Sequence, residues 1–274
     1  MARLLIFGFG YTARVIAARL NSWRITGTTR EGRGDTLCFD DETAVRAEIA
    51  AATHVLSSVP PDGAGDPVLR VYGEALGQTW LGYLSSTGVY GDTGGAWVDE
   101  SAPMRGRRPA RNAADAAWLA RGARVFRLPG IYGPGRSPID RVREGRAHRV
   151  GMPGQVFSRI HVDDIASGVI AAFDAPSGAY NLADDLPASQ NDVVEFAAAL
   201  IGSPPPPFVA LDSLSPMARA FYAENRRVSN LKAKRVLGWA PRYPDYRAGL
   251  RAINAMTSPI PVNAAPAAAS SDQR

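Results

Sequence analysis

A glycine-rich turn near the N-terminus has the residue types and the spacing that bind a phosphate. The segment Gly8-Phe9-Gly10-Tyr11-Thr12-Ala13 follows a short apolar run and precedes a helical pattern. Gly8 allows a tight turn, and Gly10 has no Cβ to keep a pyrophosphate away from the backbone. The helix that follows offers free N–H groups and the positive end of its dipole. We therefore expect a dinucleotide to bind at this turn, in contact with Gly8, Gly10, Tyr11 and Thr12.

One arginine at the end of the second predicted strand bears on the choice of cofactor. Arg30 lies twenty residues after Gly10, where an acidic residue would bind the ribose hydroxyls of NAD. A guanidinium there, followed by Arg33, fits the additional 2′-phosphate of NADP instead. We expect NADP, with NAD as the alternative cofactor. The competing interpretation is that Arg30 is a solvated loop residue.

Two further residues are assigned to the cofactor site because they follow predicted strands. Asp40 follows a short strand, and it could accept a hydrogen bond from the adenine amino group or cap the helix predicted over residues 42–51. Pro60 ends the fourth predicted strand.

Hydroxyl side chains lie at the carboxyl end of the fifth predicted strand. Residues 80–86 form an apolar run that ends in Ser85-Ser86 and continues into Thr87. In doubly wound folds the carboxyl ends of parallel strands bind ligands, so we expect these hydroxyls at the ligand-binding edge. The arginines of residues 141–149 could hold an anionic substrate, and a solvated helix face is the alternative.

The elements that must position these residues alternate between strands and helices. Predicted strands cover residues 3–7, 23–30, 36–39, 54–59, 80–86 and 124–128, and predicted helices cover residues 13–20, 42–51, 68–76 and 112–121. This alternation predicts an α/β fold with a doubly wound parallel sheet. After residue 136 the rhythm changes. An arginine-rich helix over 140–149, a helix over 164–173 and a strand over 180–182 that rejoins the sheet are predicted there.

The same pattern predicts the domain organisation. Residues 1–136 form an NAD(P)-binding domain that residues 161–183 complete. Residues 137–160 and 184–258 supply the elements of a smaller substrate domain. The alanine-, proline- and serine-rich residues 259–274 are predicted to be a disordered tail.

The composition is that of an ordinary globular protein and excludes several classes. Hydrophobic residues make up 46% of the chain, yet no run reaches the roughly 18 apolar residues of a membrane span. The single cysteine excludes an intrachain disulfide, and the three scattered histidines do not predict a metal site. The net charge of +5 is spread along the chain, which argues against nucleic-acid binding. We expect a cytoplasmic protein that binds a small molecule, with homodimer formation left open.

The chain resembles the extended short-chain dehydrogenase/reductase family, which includes nucleotide-sugar epimerases and dehydratases. The resemblance runs from Arg3 to about Leu250 and rests on motifs that appear in family order: Gly8-Phe9-Gly10-Tyr11-Thr12-Ala13, Leu84-Ser85-Ser86-Thr87-Gly88-Val89-Tyr90-Gly91, Tyr132-Gly133-Pro134-Gly135, Ile160-His161-Val162-Asp163-Asp164-Ile165-Ala166 and Lys234-Arg235-Val236-Leu237-Gly238-Trp239. It implies a Rossmann domain with a smaller C-terminal substrate domain. It also implies that Ser86 is the catalytic hydroxyl that hydrogen-bonds the reacting oxygen, and that Pro129-Gly130-Ile131 face the nicotinamide.

The chain departs from the family at the acid/base residues. The family places a tyrosine, and a lysine four residues later, at the start of the helix after Pro103. Here no tyrosine lies between Tyr90 and Tyr132, and no lysine precedes Lys232. The family's proton relay is therefore absent, as in atypical members. Ser86 remains as a hydroxyl donor, with Tyr132 as a further hydroxyl that could reach the same place.

A second departure concerns substrate binding. The epimerases place an arginine, which holds a nucleotide pyrophosphate, at the position that is Phe157 here. Arg159 lies two residues further on the same strand face and could substitute for it. His161 is also a candidate substrate residue, with a structural role as the alternative.

Two functions follow from these observations. The first is an NAD(P)-dependent oxidoreductase or epimerase/dehydratase-like enzyme that lacks the Tyr/Lys pair, with nucleotide sugars among the candidate substrates. The alternative is a catalytically silent NADP(H)-binding sensor or regulatory protein.

Overall fold

The computed structural model describes residues 1–77 and 79–257, so the predicted tail over 259–274 lies outside the described residues. Its strands are β1 (Arg3–Phe7), β2 (Arg24–Thr29), β3 (Leu37–Cys38), β4 (His54–Ser57), β5 (Trp80–Ser86), β6 (Trp97–Val98), β7 (Arg124–Leu128), β8 (Gly130–Tyr132), β9 (Arg149–Val150), β10 (Arg159–His161), β11 (Gly178–Asn181), β12 (Phe208–Val209) and β13 (Arg227–Val228). Its helices are α1 (Tyr11–Ala17), α2 (Glu42–Ala51), α3 (Pro67–Tyr72), α4 (Pro109–Ala120), α5 (Pro138–Arg143), α6 (Val162–Ala171), α7 (Gln190–Leu200), α8 (Pro216–Tyr222), α9 (Leu231–Leu237) and α10 (Tyr246–Thr257).

Seven of the strands form one parallel sheet in the order β11-β7-β5-β4-β1-β2-β3. The chain runs from β1 to β3 in one direction and then returns to build the other side from β4, so the strand order reverses beside β1. Phe7 at the end of β1 pairs with Thr28 on one side and with Ser57 on the other. Ligands of doubly wound sheets bind at such a reversal. The predicted α/β fold class is confirmed.

Helices cover both faces of the sheet, and β1 has apolar side chains that point alternately to one face and to the other. Leu4 and Ile6 pack with α1 and α6 on one face, and Leu5 and Phe7 pack with α2, α3 and α4 on the other. All four side chains are at most 1% exposed. The central strand is thus rigidly held, and the turn that follows it has a fixed position.

A third apolar cluster lies outside the sheet and joins α5, α7 and α10 through residues that include Ile139, Val193 and Leu250. Among the described residues, no helix is long and apolar enough to cross a membrane.

Several elements differ in their bounds from the sequence prediction. The predicted helix over 140–149 is wrong in its second half, since α5 begins with a Ser137–Asp140 capping box and ends at Arg143, just before Gly145 at a φ of +65°. Helix α4 begins at Pro109 rather than at residue 112, because proline is well suited to the first helical position. The segment after β7, predicted as an exit loop, contains the short strand β8, which pairs with β10.

Candidate cofactor site and substrate cavity

The glycine turn between β1 and α1 leaves open space where a pyrophosphate would lie. Gly8 has a φ of +81°, which favours glycine, and a Cβ there would lie 2.9 Å from the Ser58 hydroxyl oxygen. A Cβ on Gly10 would meet no atom within 4 Å. Gly10 is also the N-cap of α1, and it supplies no side-chain hydrogen bond to the first N–H groups. These groups and the space above Gly10 fit a bound phosphate.

Two of the predicted contacts at this turn lie in the first turn of α1. The hydroxyl of Tyr11 donates a hydrogen bond to the carbonyl oxygen of Pro134 at 3.1 Å. Its side chain therefore reaches the loop after β8, and the Tyr11 backbone N–H stays at the helix start. Thr12 is half-buried beside it.

The carboxyl end of β2 lies against the same turn. The Phe9 N–H donates to the carbonyl oxygen of Thr28 at 2.8 Å, and Arg30 follows two residues later. Arg30 is exposed and forms no ion pair with a described residue, whereas the Arg33 guanidinium is paired with Glu31. Of the two arginines, Arg30 is therefore the one whose guanidinium is available to bind an anion.

Two more of the residues assigned to the cofactor are exposed at the same edge. Asp41 caps α2, since its carboxylate accepts the Ala44 N–H at 3.0 Å, so the capping alternative for Asp40 is wrong. Asp40 and Pro60 are both solvent-exposed after β3 and β4.

A cavity of about 840 Å³ opens beyond the carboxyl ends of β5 and β7. Ser86, Pro129 and Arg159, three of the residues predicted for catalysis, nicotinamide contact and substrate binding, line it together. The Ser86 oxygen accepts the Gly88 N–H at 3.1 Å, and its hydroxyl hydrogen has no acceptor among the described residues. Ser86 can therefore donate a hydrogen bond to a ligand.

The lining of the cavity is strongly cationic. It contains three carboxylates and eight arginines, which are Arg107, Arg108, Arg111, Arg136, Arg141, Arg146, Arg159 and Arg226. Glu224 pairs with Arg107 and Arg226, and Glu144 pairs with Arg146. The third carboxylate, Asp140, accepts hydrogen bonds from Ser137 in the capping box. Five of the guanidiniums have no carboxylate partner in the described part of the chain.

Arg159 is the most deeply buried of these cations, with 7% of its surface exposed. Its guanidinium donates to the backbone carbonyls of Phe157, Ala188 and Ser189 and to the side-chain oxygen of Gln190. All four acceptors are neutral. An anion in the cavity would therefore supply the missing countercharge.

Asp184 is a buried carboxylate near Arg159 that no sequence motif indicated. Its backbone N–H donates to the Arg159 carbonyl at 2.7 Å, and the residue is 1% exposed. Neither of its carboxylate oxygens has a hydrogen-bond partner among the described residues. Burial raises the pKa of Asp184 to about 8, and the nearby Arg159 only partly offsets this effect.

His161 does not line the cavity. Its Nδ1 accepts the Asp163 N–H at 3.2 Å and caps α6, while its ring packs between Tyr132 and Tyr243. Burial lowers the pKa of His161 to about 4, which keeps the ring neutral. This position matches the structural alternative, and it explains why α6 begins at Val162 rather than at residue 164.

Tyr132 and Tyr90 are poorly suited to acid/base chemistry, because burial raises the pKa of both hydroxyls. The Tyr132 hydroxyl donates to the carbonyl of Asp245 at 3.4 Å, while the residue lines the same cavity as Ser86. The Tyr90 hydroxyl is buried and donates to Asn181 Oδ1 at 2.7 Å. Burial raises the pKa of Tyr90 to about 12, and the neighbouring Arg127 opposes this effect without cancelling it.

The first turn of α4, where the family's tyrosine would fall, presents arginines instead. The Gly106 N–H donates to the Val89 carbonyl at 2.8 Å, and Asn112 Nδ2 donates to the Gly106 carbonyl at 2.9 Å. These bonds hold Arg108 and Arg111 beside the segment that follows Ser86, and both arginines line the cavity. Both arginines precede the helix predicted over residues 112–121, so the sequence prediction did not assign them to a face of α4.

No family model matches the chain. The chain is 43% identical to a conserved protein of unknown function from Silicibacter pomeroyi DSS, with a TM-score of 0.83 and coverage of 93% of this chain and 99% of that one. Protein YeeZ of Escherichia coli is 26% identical, over 89% of this chain and 97% of the relative. A 3-diazoavenalumate denitrifying reductase from Streptomyces is 29% identical over 46% of this chain and 45% of its own length.

Solved structures with lower identity share the fold. The dTDP-glucose 4,6-dehydratase of Bacillus anthracis, in complex with NAD, is 17% identical with a TM-score of 0.73, and the match covers 92% of this chain and 95% of that one. A human epimerase family protein with NADPH is 17% identical with a TM-score of 0.70, covering 92% and 98%. Proteins of this fold thus include both NAD and NADPH binders.

Proposed function

We propose a function from the premise that the chain belongs to the same family as the Silicibacter pomeroyi protein and has the fold of extended short-chain dehydrogenases/reductases. The protein is an NADP-dependent oxidoreductase or epimerase-like enzyme that acts on a small molecule in the cavity beside Ser86. One observation carries the proposal. The open glycine turn and the cavity that contains Ser86 and Pro129 lie at the same carboxyl edge of one parallel sheet.

The cofactor site is built from residues that follow five strands of the sheet. The N–H groups at the start of α1 and the space above Gly10 receive the pyrophosphate. Arg30 pairs with the 2′-phosphate, Asp40 accepts a bond from the adenine, and Pro60 and Pro129 lie along the remaining length. Bound NADP supplies a hydride donor or acceptor at its nicotinamide ring.

Ser86 is the catalytic hydroxyl of this proposal. Because its oxygen already accepts the Gly88 N–H, its own hydrogen points to a substrate oxygen and stabilises charge that develops there. Arginine stays protonated at any working pH and cannot act as a base. The proton that the reaction requires is exchanged with water in the cavity.

A silent NADP(H)-binding sensor is the second candidate, because the chain lacks the tyrosine and lysine that drive the usual proton transfer. Both candidates require cofactor binding, and only the enzyme requires turnover.

The test has two stages. NADPH and NADH are titrated by calorimetry. Turnover of a panel of nucleotide sugars and carbonyl compounds is then followed by cofactor absorbance for net redox reactions and by NMR of the substrate for epimerisation or dehydration, in which the cofactor is regenerated. Binding with turnover that Ser86→Ala removes supports the enzyme. Binding without turnover supports the sensor, and no binding of either cofactor contradicts both.

A further inference from the structure

We propose that Arg111, together with Arg108, binds an oxyanion group of the substrate beside Ser86. The substrate of this protein then carries a carboxylate or a phosphate close to the atom that reacts. This inference rests on the proposed function, and it specifies the substrate class of the same cavity.

The position of the two arginines is fixed by the backbone. Helix α4 begins at Pro109, so Arg108 is its N-cap residue and Arg111 lies in its first turn. The hydrogen bonds from Gly106 to Val89 and from Asn112 to Gly106 tie this turn to the segment that follows Ser86. Space is also tight there, because a Cβ on Gly106 would clash with the Gly88 carbonyl oxygen. The start of α4 therefore cannot move away from Ser86 without breaking this packing.

The carboxylate that could neutralise Arg111 on its own helix is already engaged. Asp115 lies four residues later, at the spacing of a helical ion pair. It is fully buried and holds Arg127 through two hydrogen bonds, at 2.8 and 3.1 Å. It also accepts the Ser85 hydroxyl at 2.6 Å. No carboxylate within the described ranges forms an ion pair with Arg111 or Arg108, although Arg111 is half-buried.

The carboxylates that line the cavity also leave Arg111 without a partner. Its carboxylates are occupied by Arg107, Arg226, Arg146 and a helix cap, so they do not neutralise the wall that carries Arg111. A guanidinium presents paired donors in a plane that matches a carboxylate or a phosphate. An oxyanion at Arg111 would place the adjoining atoms of the substrate within reach of the Ser86 hydroxyl.

The test measures anion binding to the protein saturated with NADPH, so that the cofactor occupies the glycine turn. The probes are inorganic phosphate and malonate, titrated by calorimetry at constant ionic strength. Arg111→Gln and Arg108→Gln are compared with Arg105→Gln, which removes the same charge from an exposed residue of the same segment that does not line the cavity. We expect Arg111→Gln to weaken binding of the preferred probe at least tenfold, Arg111→Lys to weaken it less, and Arg105→Gln to leave it unchanged.

Unchanged affinities in Arg111→Gln, or an equal loss in Arg105→Gln, would overturn the inference. The stronger of the two probes distinguishes a phosphate-bearing substrate from a carboxylate-bearing one. Failure of the proposed function looks different, since the NADPH titration itself would then show no binding. In that case the anion titrations are repeated on cofactor-free Gly10→Val, in which the space above the glycine turn is filled.

Discussion

The hydroxyl of Ser85 donates a hydrogen bond to the buried carboxylate of Asp115 at 2.6 Å, which locks the end of β5 to helix α4. The next residue, Ser86, faces the cavity. Because alternate residues of a strand point to opposite sides, Ser85 stabilises the packing of β5 on α4, whereas Ser86 remains able to bind a ligand in the cavity.

We predict that Gly10→Val abolishes cofactor binding without unfolding the protein. The added side chain enters a space that no atom occupies within 4 Å, so it displaces the pyrophosphate and not the protein. Calorimetric titration with NADPH and a thermal melt measure the two effects. Gly63→Val is the matched control, because Gly63 also has open space around it and lies in the loop before α3. Retained NADPH binding in Gly10→Val would show that the glycine segment is only a turn.

Arg30→Ala should reduce the preference for NADPH over NADH. Loss of a charge-assisted pair with the 2′-phosphate costs about 1.5–3 kcal/mol, or roughly ten- to a hundredfold in NADPH affinity. NADH affinity should stay constant. Arg24→Ala, at the opposite end of β2, is the control. A preference that survives Arg30→Ala would contradict the assignment of NADP specificity to this residue.

Ser86→Ala should lower turnover by about a hundredfold or more while NADPH affinity stays nearly the same. Removal of one donor to a developing oxyanion costs about 2.7–4 kcal/mol of transition-state stabilisation. The measurement is the steady-state rate with a substrate from the panel, together with a cofactor titration. Undiminished turnover would remove Ser86 from the mechanism.

Arg127→Met should destabilise the fold by about 3–5 kcal/mol, because it leaves the carboxylate of Asp115 buried without its cation. Urea unfolding measures the change in the free energy of unfolding. The double variant Arg127→Met with Asp115→Leu should recover part of the loss, since it removes both charges. A loss in the double variant that equals the sum of the two single losses would argue against a coupled pair.

The contribution of Asp184 to the stability should fall as the pH rises from about 4 towards 8, whereas His161, whose pKa burial lowers to about 4, contributes the opposite slope below about pH 6.5. Burial raises the pKa of this carboxyl to about 8, so the folded state keeps a proton that the unfolded state releases. One proton of difference corresponds to about 1.4 kcal/mol of unfolding free energy per pH unit. Asp184→Asn, which cannot ionise, should flatten the pH dependence of urea unfolding between about pH 6.5 and 8, where His161 is neutral in both the folded and the unfolded state. An identical slope in wild type and variant would place the pKa of Asp184 in its ordinary range.

The sheet and its switch point could be predicted from the sequence because their signals are local. Residues 4–7 are apolar on both faces of the strand, and the glycines after them mark the turn. The strand at 180–182 could be recognised in the same way, and β11 does pair with β7. The ends of helices are harder to predict. Helix α5 begins at a capping box and ends just before Gly145, and its polar composition does not indicate either position.

The cavity could be predicted only in part. Ser86, Pro129 and Arg159 are each identifiable from the sequence. The ion pairs that leave some arginines without a carboxylate partner could not be predicted, because they join residues far apart in the sequence. Glu224 engages Arg107 across more than a hundred residues of sequence. Asp184 has no motif at all, and only its burial distinguishes it from any other acidic residue.

The place of β11 at the edge of the sheet has a consequence for synthesis on the ribosome. Residues 178–181 cover the outer edge of β7, and the Asn181 side chain receives the Tyr90 hydroxyl. A nascent chain that ends near residue 136 therefore has the glycine turn and Ser86 but exposes the unpaired backbone of β7. Such an edge can pair with another chain. Residues 1–136 are therefore most prone to aggregation until about forty-five more residues have emerged and β11 can cover β7.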